Sequence, residues 1–367
     1  MSAMLEDFLL DDKPQVTPRR RAPLREPFSL GGETVEAGAS RTIDLPISRL
    51  STRTEINMPV RVLHGTKPGP TLFVSAAVHG NEIIGVEMIR RLLKNVSPKR
   101  IAGTLLCIPV VNAYGFTAHS RYLPDGRDLN RVFPGNERGS LAAQLANVFT
   151  TEILARSDYG IDLHSAGMNR ENLPQIRFSP DNLGASALAD VFGAPAIIAS
   201  PLRPGSLRQT ADEAGCTMLL MESGEALRFN EYAIRIGVRG ILRVMAHLQM
   251  GVRKQPAPAA SAVRSDGSRW VRAEQGGIFR AMRNTGTMVL EHEQIGYISD
   301  PFGDHDTPVL APLTGLIIGR SVMPVVNQGD ALMHIARVRI PGTADARLTA
   351  IEEATIDDPL FDEDEIM

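Results

Sequence analysis

The chain has 367 residues, with 39 Lys and Arg against 42 Asp and Glu and a formal net charge of -3. That balance excludes the strongly basic surface expected of a nucleic-acid binder and leaves small polar substrates open. Cys107 and Cys216 lie far apart in apolar runs, no run of about 18 or more apolar residues could span a membrane, and the acidic start MSAMLEDFLLDDKP is unlike a secretory signal, so a reducing cytoplasm is the expected setting.

Residues 1–27 read as a flexible tail, acidic first and then basic at Arg19, Arg20 and Arg21, with Pro14, Pro18, Pro23 and Pro27 opposing a helix. From Phe28 to Leu63, the Gly31-Gly32 pair and alternating runs such as Thr42-Ile43-Asp44-Leu45 predict strands joined by turns at the edge of a main sheet. From Pro70 onward strand and helix alternate. Thr71–Val78 is a buried-type strand, and Ile84–Val96 carries Val86, Ile89, Leu92, Leu93 and Val96 on one helix face. Strands follow at Thr104–Val111, Tyr159–Leu163, Ala196–Ala199 and Thr217–Met221. Helices are predicted after Ser140, near Ala185–Val191 and Leu207–Ala214, and over the amphipathic stretch containing Ile234, Val238, Ile241, Leu242 and Met245. This pattern predicts an α/β domain over residues 28–250, its sheet largely parallel and covered on both faces.

Residues 251–268, rich in Pro, Ala and Ser, read as a linker. Over 269–345 the helical period disappears and short apolar pieces alternate with Gly, Asn and Asp, which predicts a small all-β domain. Its Ala311-Pro312-Leu313-Thr314-Gly315 and Gln328-Gly329-Asp330 resemble a biotinyl or lipoyl half-barrel, but no lysine follows Lys254 to carry such a group. Residues 346–367 form an acidic tail, and the last 16 residues hold eight acids, a composition expected to stay disordered.

Chemistry concentrates at the strand ends. The first buried strand stops at Val78-His79-Gly80-Asn81-Glu82, where a histidine and a glutamate three residues apart can reach one metal ion from a tight turn, with Gly80 supplying backbone freedom. Asn112, His164 and Glu222 end three further strands, and ligands of open α/β sheets bind beyond the carboxyl ends of strands. The long loop between Asn112 and Gly135 carries Arg121, Arg127 and Arg131 beside Asn130, so a carboxylate-bearing substrate is expected.

The segments VHGNE, RDLNRVFPG, DLHS and MESG, in that order, resemble the succinylglutamate desuccinylase and aspartoacylase family, related to the zinc carboxypeptidases. The resemblance implies a carboxypeptidase-like central mixed sheet with helices on both faces and the small β domain behind it. It implies one zinc ion per chain held by His79, Glu82 and His164, a general base at Glu222, and a substrate carboxylate held by Asn130 and Arg131. Either Arg121 or Arg127 matches the arginine that polarises the scissile carbonyl, with Arg121 favoured, and Asp162 is a candidate to orient a ligating histidine. Homo-oligomers are a further expectation carried only by the resemblance.

The expected activity is hydrolysis of a linear amide, deacylating an N-acyl amino acid or a related small carboxylate by metal-activated water. Carboxypeptidase-like trimming of a terminal residue such as glutamate uses the same residues, and a non-catalytic metal-binding interaction protein is the third reading. His64, His247, His292, His305 and His334 are expected to be structural, while His119 and Arg177 are secondary candidates for the site.

Overall fold

A computed structural model of the chain describes residues 25–251, 262–338 and 344–356. The expected tail over 1–27 lies almost entirely outside them, as do 252–261 of the linker and the acidic residues from 357 on. Among the described residues a sheet of 13 strands runs through the molecule. Its centre is four mutually parallel strands in the order Ala102–Ile108, Lys67–Ala76, Tyr159–Ala166 and Thr217–Glu225. Antiparallel strands extend it on one side through Glu55–His64 to the edge strand Ser40–Arg49, the edge region expected from the sequence.

The apolar runs of the central strands serve two cores because side chains alternate across a sheet. Leu72, Val74 and Ala76 face one cluster, covered by helices Ile84–Asn95, Leu183–Phe192 and Glu231–His247. Phe73 faces the opposite cluster, beneath helices Leu141–Val148 and Leu207–Glu213. Each large apolar side chain fully buried in these layers contributes about 1.5–3 kcal/mol. Ser140, Asn182, Ser206 and Asn230 cap the four helices that follow them by accepting a backbone N–H.

Several elements were not foreseen. Strand Arg170–Phe178 turns back from Tyr159–Ala166 and pairs antiparallel with Thr217–Glu225 on one side and with Gly315–Ser321 on the other. Its polar opening, Arg170-Glu171-Asn172, hides the strand period from a sequence reading. Through it the main sheet crosses the expected boundary at 251–268 and continues into Ala331–Arg337 and Ser268–Arg272. Within that expected linker Val263–Ser265 is itself a strand, parallel to Ala196–Ala199. The β region also has a four-stranded sheet of its own, Asp306–Leu310, Gln294–Ser299, Gly277–Ala281 and Val325–Val326. Part of the expected acidic tail is ordered too. Helix Ala344–Ile356 packs against Glu231–His247 and buries Ile351 in the main core.

Candidate metal centre and substrate cleft

Three strand ends meet at one cleft. His79 and Glu82 come from the turn after Lys67–Ala76, His164 lies two residues before the end of the parallel neighbour Tyr159–Ala166, and Glu222 lies in register opposite His164 on the next strand. The turn is set differently from the sequence expectation. Its left-handed residue is Ala77 (φ 50), and Gly80 is needed for close approach, since a Cβ there would lie 1.9 Å from the Gly115 carbonyl carbon. The Glu82 backbone N–H donates to the His79 carbonyl at 3.0 Å and closes the loop.

His79, Glu82 and His164 are all buried, and each offers one ligand-type atom within 4.8 Å of the others. Glu82 reaches His79 Nδ1 with Oε1 and His164 Nδ1 with Oε2, both at 2.8 Å, while the two Nδ1 atoms stand 3.2 Å apart. Each Nε2 faces another acid, Asp128 Oδ1 at 3.0 Å from His79 and Asp162 Oδ2 at 2.6 Å from His164. A carboxylate only accepts, so both Nε2 atoms carry hydrogen and both Nδ1 atoms are left to face the shared space. Asp162 is in turn fixed by the Ser75 hydroxyl at 2.7 Å. Burial alone would lower both histidines, but Glu82 with Asp128 holds His79 above its ordinary value, and Asp162 with Glu82 holds His164 well above it. Burial opposes the charged form of Glu82 as well, yet the two imidazoles bring it below the carboxylate range. Two imidazoles and a carboxylate converging on one buried space, with the far nitrogen of each ring held by a second acid, form a donor set suited to a divalent cation with His and Glu ligands.

Glu222 stands beside this set. Its Oε2 accepts from Asn172 Nδ2 at 3.0 Å, and burial raises its pKa against the opposing pull of Arg177 and His164. Arg121 donates to Glu82 Oε1 and to Asp128 Oδ2, each at 3.0 Å. Asn130 uses its Oδ1 to accept the Leu207 N–H at 2.9 Å, which leaves its amide N–H groups to donate. Arg131 lies next to it on the cleft wall. Arg127 is elsewhere. It is exposed, sits 3.5 Å from Asp125 and does not line the cleft, and His119 is likewise exposed and outside it.

The cleft holds about 360 Å³ and is lined by six arginines, Arg121, Arg131, Arg170, Arg177, Arg203 and Arg208, against the two carboxylates Glu82 and Glu222. Buried Arg208 donates to the Ser200 and Pro201 carbonyls, and burial together with Arg177 lowers its pKa to about 10. Sequence reasoning passed over Asp128, Asn172, Arg203, Arg208 and Trp270, and it set His334 aside as structural although it lines the cleft. Asp128 carried a usable signal, an acid inside an arginine-rich loop and two residues from Asn130. The others reach the cleft by long-range pairing that no local pattern announces.

Residues 68–248 match the succinylglutamate desuccinylase/aspartoacylase catalytic domain. The chain is 27% identical over 334 residues to an N-alpha-acetyl-L-2,4-diaminobutyric acid deacetylase of Halomonas elongata, covering 87% of this chain and 96% of that one. It is 28% identical over 218 residues to a succinylglutamate desuccinylase of Serratia proteamaculans, covering 53% of this chain and 63% of the relative. The crystal structure of a succinylglutamate desuccinylase/aspartoacylase from Rhodobacter sphaeroides superposes with a TM-score of 0.73 at 26% identity, over 82% of this chain and 95% of that one. A match through the catalytic half, with one relative aligned along most of the length, settles the kinship: the chain belongs to the succinylglutamate desuccinylase/aspartoacylase family.

Proposed function

We propose that the protein is a zinc-dependent hydrolase of linear amides that deacylates an N-acyl amino acid or a related small carboxylate. The observation that carries this reading is the convergence of His79 Nδ1, His164 Nδ1 and Glu82 beside a half-buried glutamate whose pKa is raised. A zinc ion held by His79, Glu82 and His164 would lower the pKa of water toward about 7 and polarise an amide carbonyl. Glu222 takes a proton from the attacking water and returns it to the leaving amine. Its raised pKa suits that exchange, because a base serves best near the working pH. Asn172 occupies one of its oxygens and leaves the other for the proton. Arg121, still holding N–H groups beyond those given to Glu82 and Asp128, stabilises the oxyanion that forms on the carbonyl. Asn130 and Arg131 grip the substrate carboxylate, and the surplus of arginine in the cleft favours an anionic substrate. The relatives named for deacetylation and desuccinylation favour deacylation over trimming of a peptide terminus.

Primary-amine release from N-acetyl, N-succinyl and N-formyl amino acids, compared with short peptides, tests the reading. Turnover of acylated amino acids, loss of activity to chelators and its return with zinc are expected. Glu222→Ala is expected to keep the metal by elemental analysis and to lose hydrolysis by a factor of about 100 or more. Turnover confined to peptides, or full activity in that variant, would refute it.

A further inference from the structure

The β region contributes two rings to the cleft. Trp270 and His334 lie directly opposite each other on strands Ser268–Arg272 and Ala331–Arg337, and their rings stack with centroids 4.4 Å apart at 10°. The exposed guanidinium of Arg170 stands 5.7 Å from the Trp270 ring centre. Both rings line the same cleft as Glu222. His334 is 5% exposed, its Nε2 lies 2.8 Å from the Ser268 hydroxyl, and its Nδ1 is buried with no hydrogen-bond partner among the described residues. Arg177, the charged group that acts on His334, also leaves its buried Nε without a partner.

Burial and the Arg177 charge push His334 down to about 3, so the ring is neutral at ordinary pH and has one N–H and one lone pair to place. In the tautomer whose Nε2 accepts from the Ser268 hydroxyl, Nδ1 carries the hydrogen and is a donor like Arg177 Nε. Both residues line the cleft, and a buried donor without a partner is costly until a bound molecule or a water supplies the acceptor. Arg177 pairs with Leu220, two residues before Glu222 on the neighbouring strand, so this side of the cleft adjoins the proposed base.

We propose that Trp270 and His334 form a substrate-recognition wall supplied by the β region, in which His334 Nδ1 and Arg177 Nε donate to a substrate oxygen other than the carboxylate held by Asn130 and Arg131. Trp270 fixes the plane of His334 and holds Arg170 across the mouth of the wall. The inference rests on the deacylase reading for its substrate, but binding at the wall can be measured without turnover.

Trp270 is the chain's sole tryptophan, so intrinsic fluorescence reports on this wall alone. Acetate, succinate, glutarate, L-aspartate and L-glutamate would be titrated into the metal-loaded protein. At least one is expected to change the emission saturably. His334→Phe keeps an aromatic ring for the stack but has no donor, and should weaken that ligand about tenfold, the equivalent of one hydrogen bond. His334→Asn keeps a nitrogen donor near Nδ1 and should bind within about threefold of the parent. Should His334→Phe fail to fold by melting and circular dichroism, Arg177→Met removes the second donor and is expected to show the same loss. With a hydrolysed substrate, His334→Phe should raise KM and leave kcat nearly unchanged. No emission change with any probe, equal affinity in the donor-less variants, or an unchanged KM would overturn the proposal. Saturable, His334-dependent binding without hydrolysis of any acylated amino acid would uphold the wall and sink the deacylase reading.

Discussion

Asp128 divides one carboxylate among His79 Nε2, the Asn130 backbone N–H and the Arg121 guanidinium, tying a candidate metal ligand to two of the residues proposed to contact substrate. Burial would raise its pKa, but His79 and Arg121 keep it below the carboxylate range, so it stays ionised. Asp128→Asn retains the shape and loses the charge. We expect zinc affinity or kcat/KM to fall by about 10- to 100-fold, read by chelator competition and steady-state kinetics. Glu222 supports a prediction whose sign follows from its neighbours. Burial raises its pKa and Arg177 lowers it, so removing Arg177 raises it further. The base acts ionised, and activity therefore rises with pH through this pKa. Arg177→Met should move the acidic limb of the kcat/KM profile to higher pH, whatever its effect on KM. A shift to lower pH would contradict Glu222 as the base. Cys107 and Cys216 are both buried, and burial pushes both thiols up to about 12.

Among the elements, strand Arg170–Phe178 has the largest consequence for the site. It brings Asn172 to Glu222 and Arg177 into the cleft, and it was invisible locally because its first three residues are polar. Gly319, on the neighbouring strand, is paired with Asn172, and a Cβ there would lie 2.7 Å from Asn172 Oδ1. Gly319→Ala should therefore displace the amide that steadies Glu222. Losing one such hydrogen bond is worth about 0.5–1.5 kcal/mol, so kcat should fall roughly two- to tenfold with the melting temperature little changed. The helices and central strands were legible because their apolar periods and caps are local. The turn at Gly80 was legible in position but not in cause, since the need for glycine there comes from Gly115, 35 residues later and across the loop.

At the scale of the whole molecule, the β region is built into the main sheet. Strand Gly315–Ser321 covers the edge of Arg170–Phe178, and Leu173, Ala196 and Ile198 share a buried cluster with Leu316, Ile318 and Ala336. A chain ended at Gly251 would expose that strand edge and those apolar groups. Such an edge is a template for aggregation. The truncated chain is expected to be insoluble or polydisperse by gel filtration. A monodisperse fragment that still binds zinc would show instead that residues 28–250 stand alone. The sequence by itself determined the class of fold, the order of central strands along the chain and the HGNE, RDLNR, DLHS and MESG segments, because periodicity and short motifs are properties of neighbours. Only the tertiary structure decided that Arg121 rather than Arg127 lines the cleft, that Asp128 joins His79 to Arg121 and Asn130, and that Trp270 and His334 line the same cleft. Those placements depend on strand pairings between residues tens to more than a hundred positions apart, and such pairings leave no periodic trace in the chain.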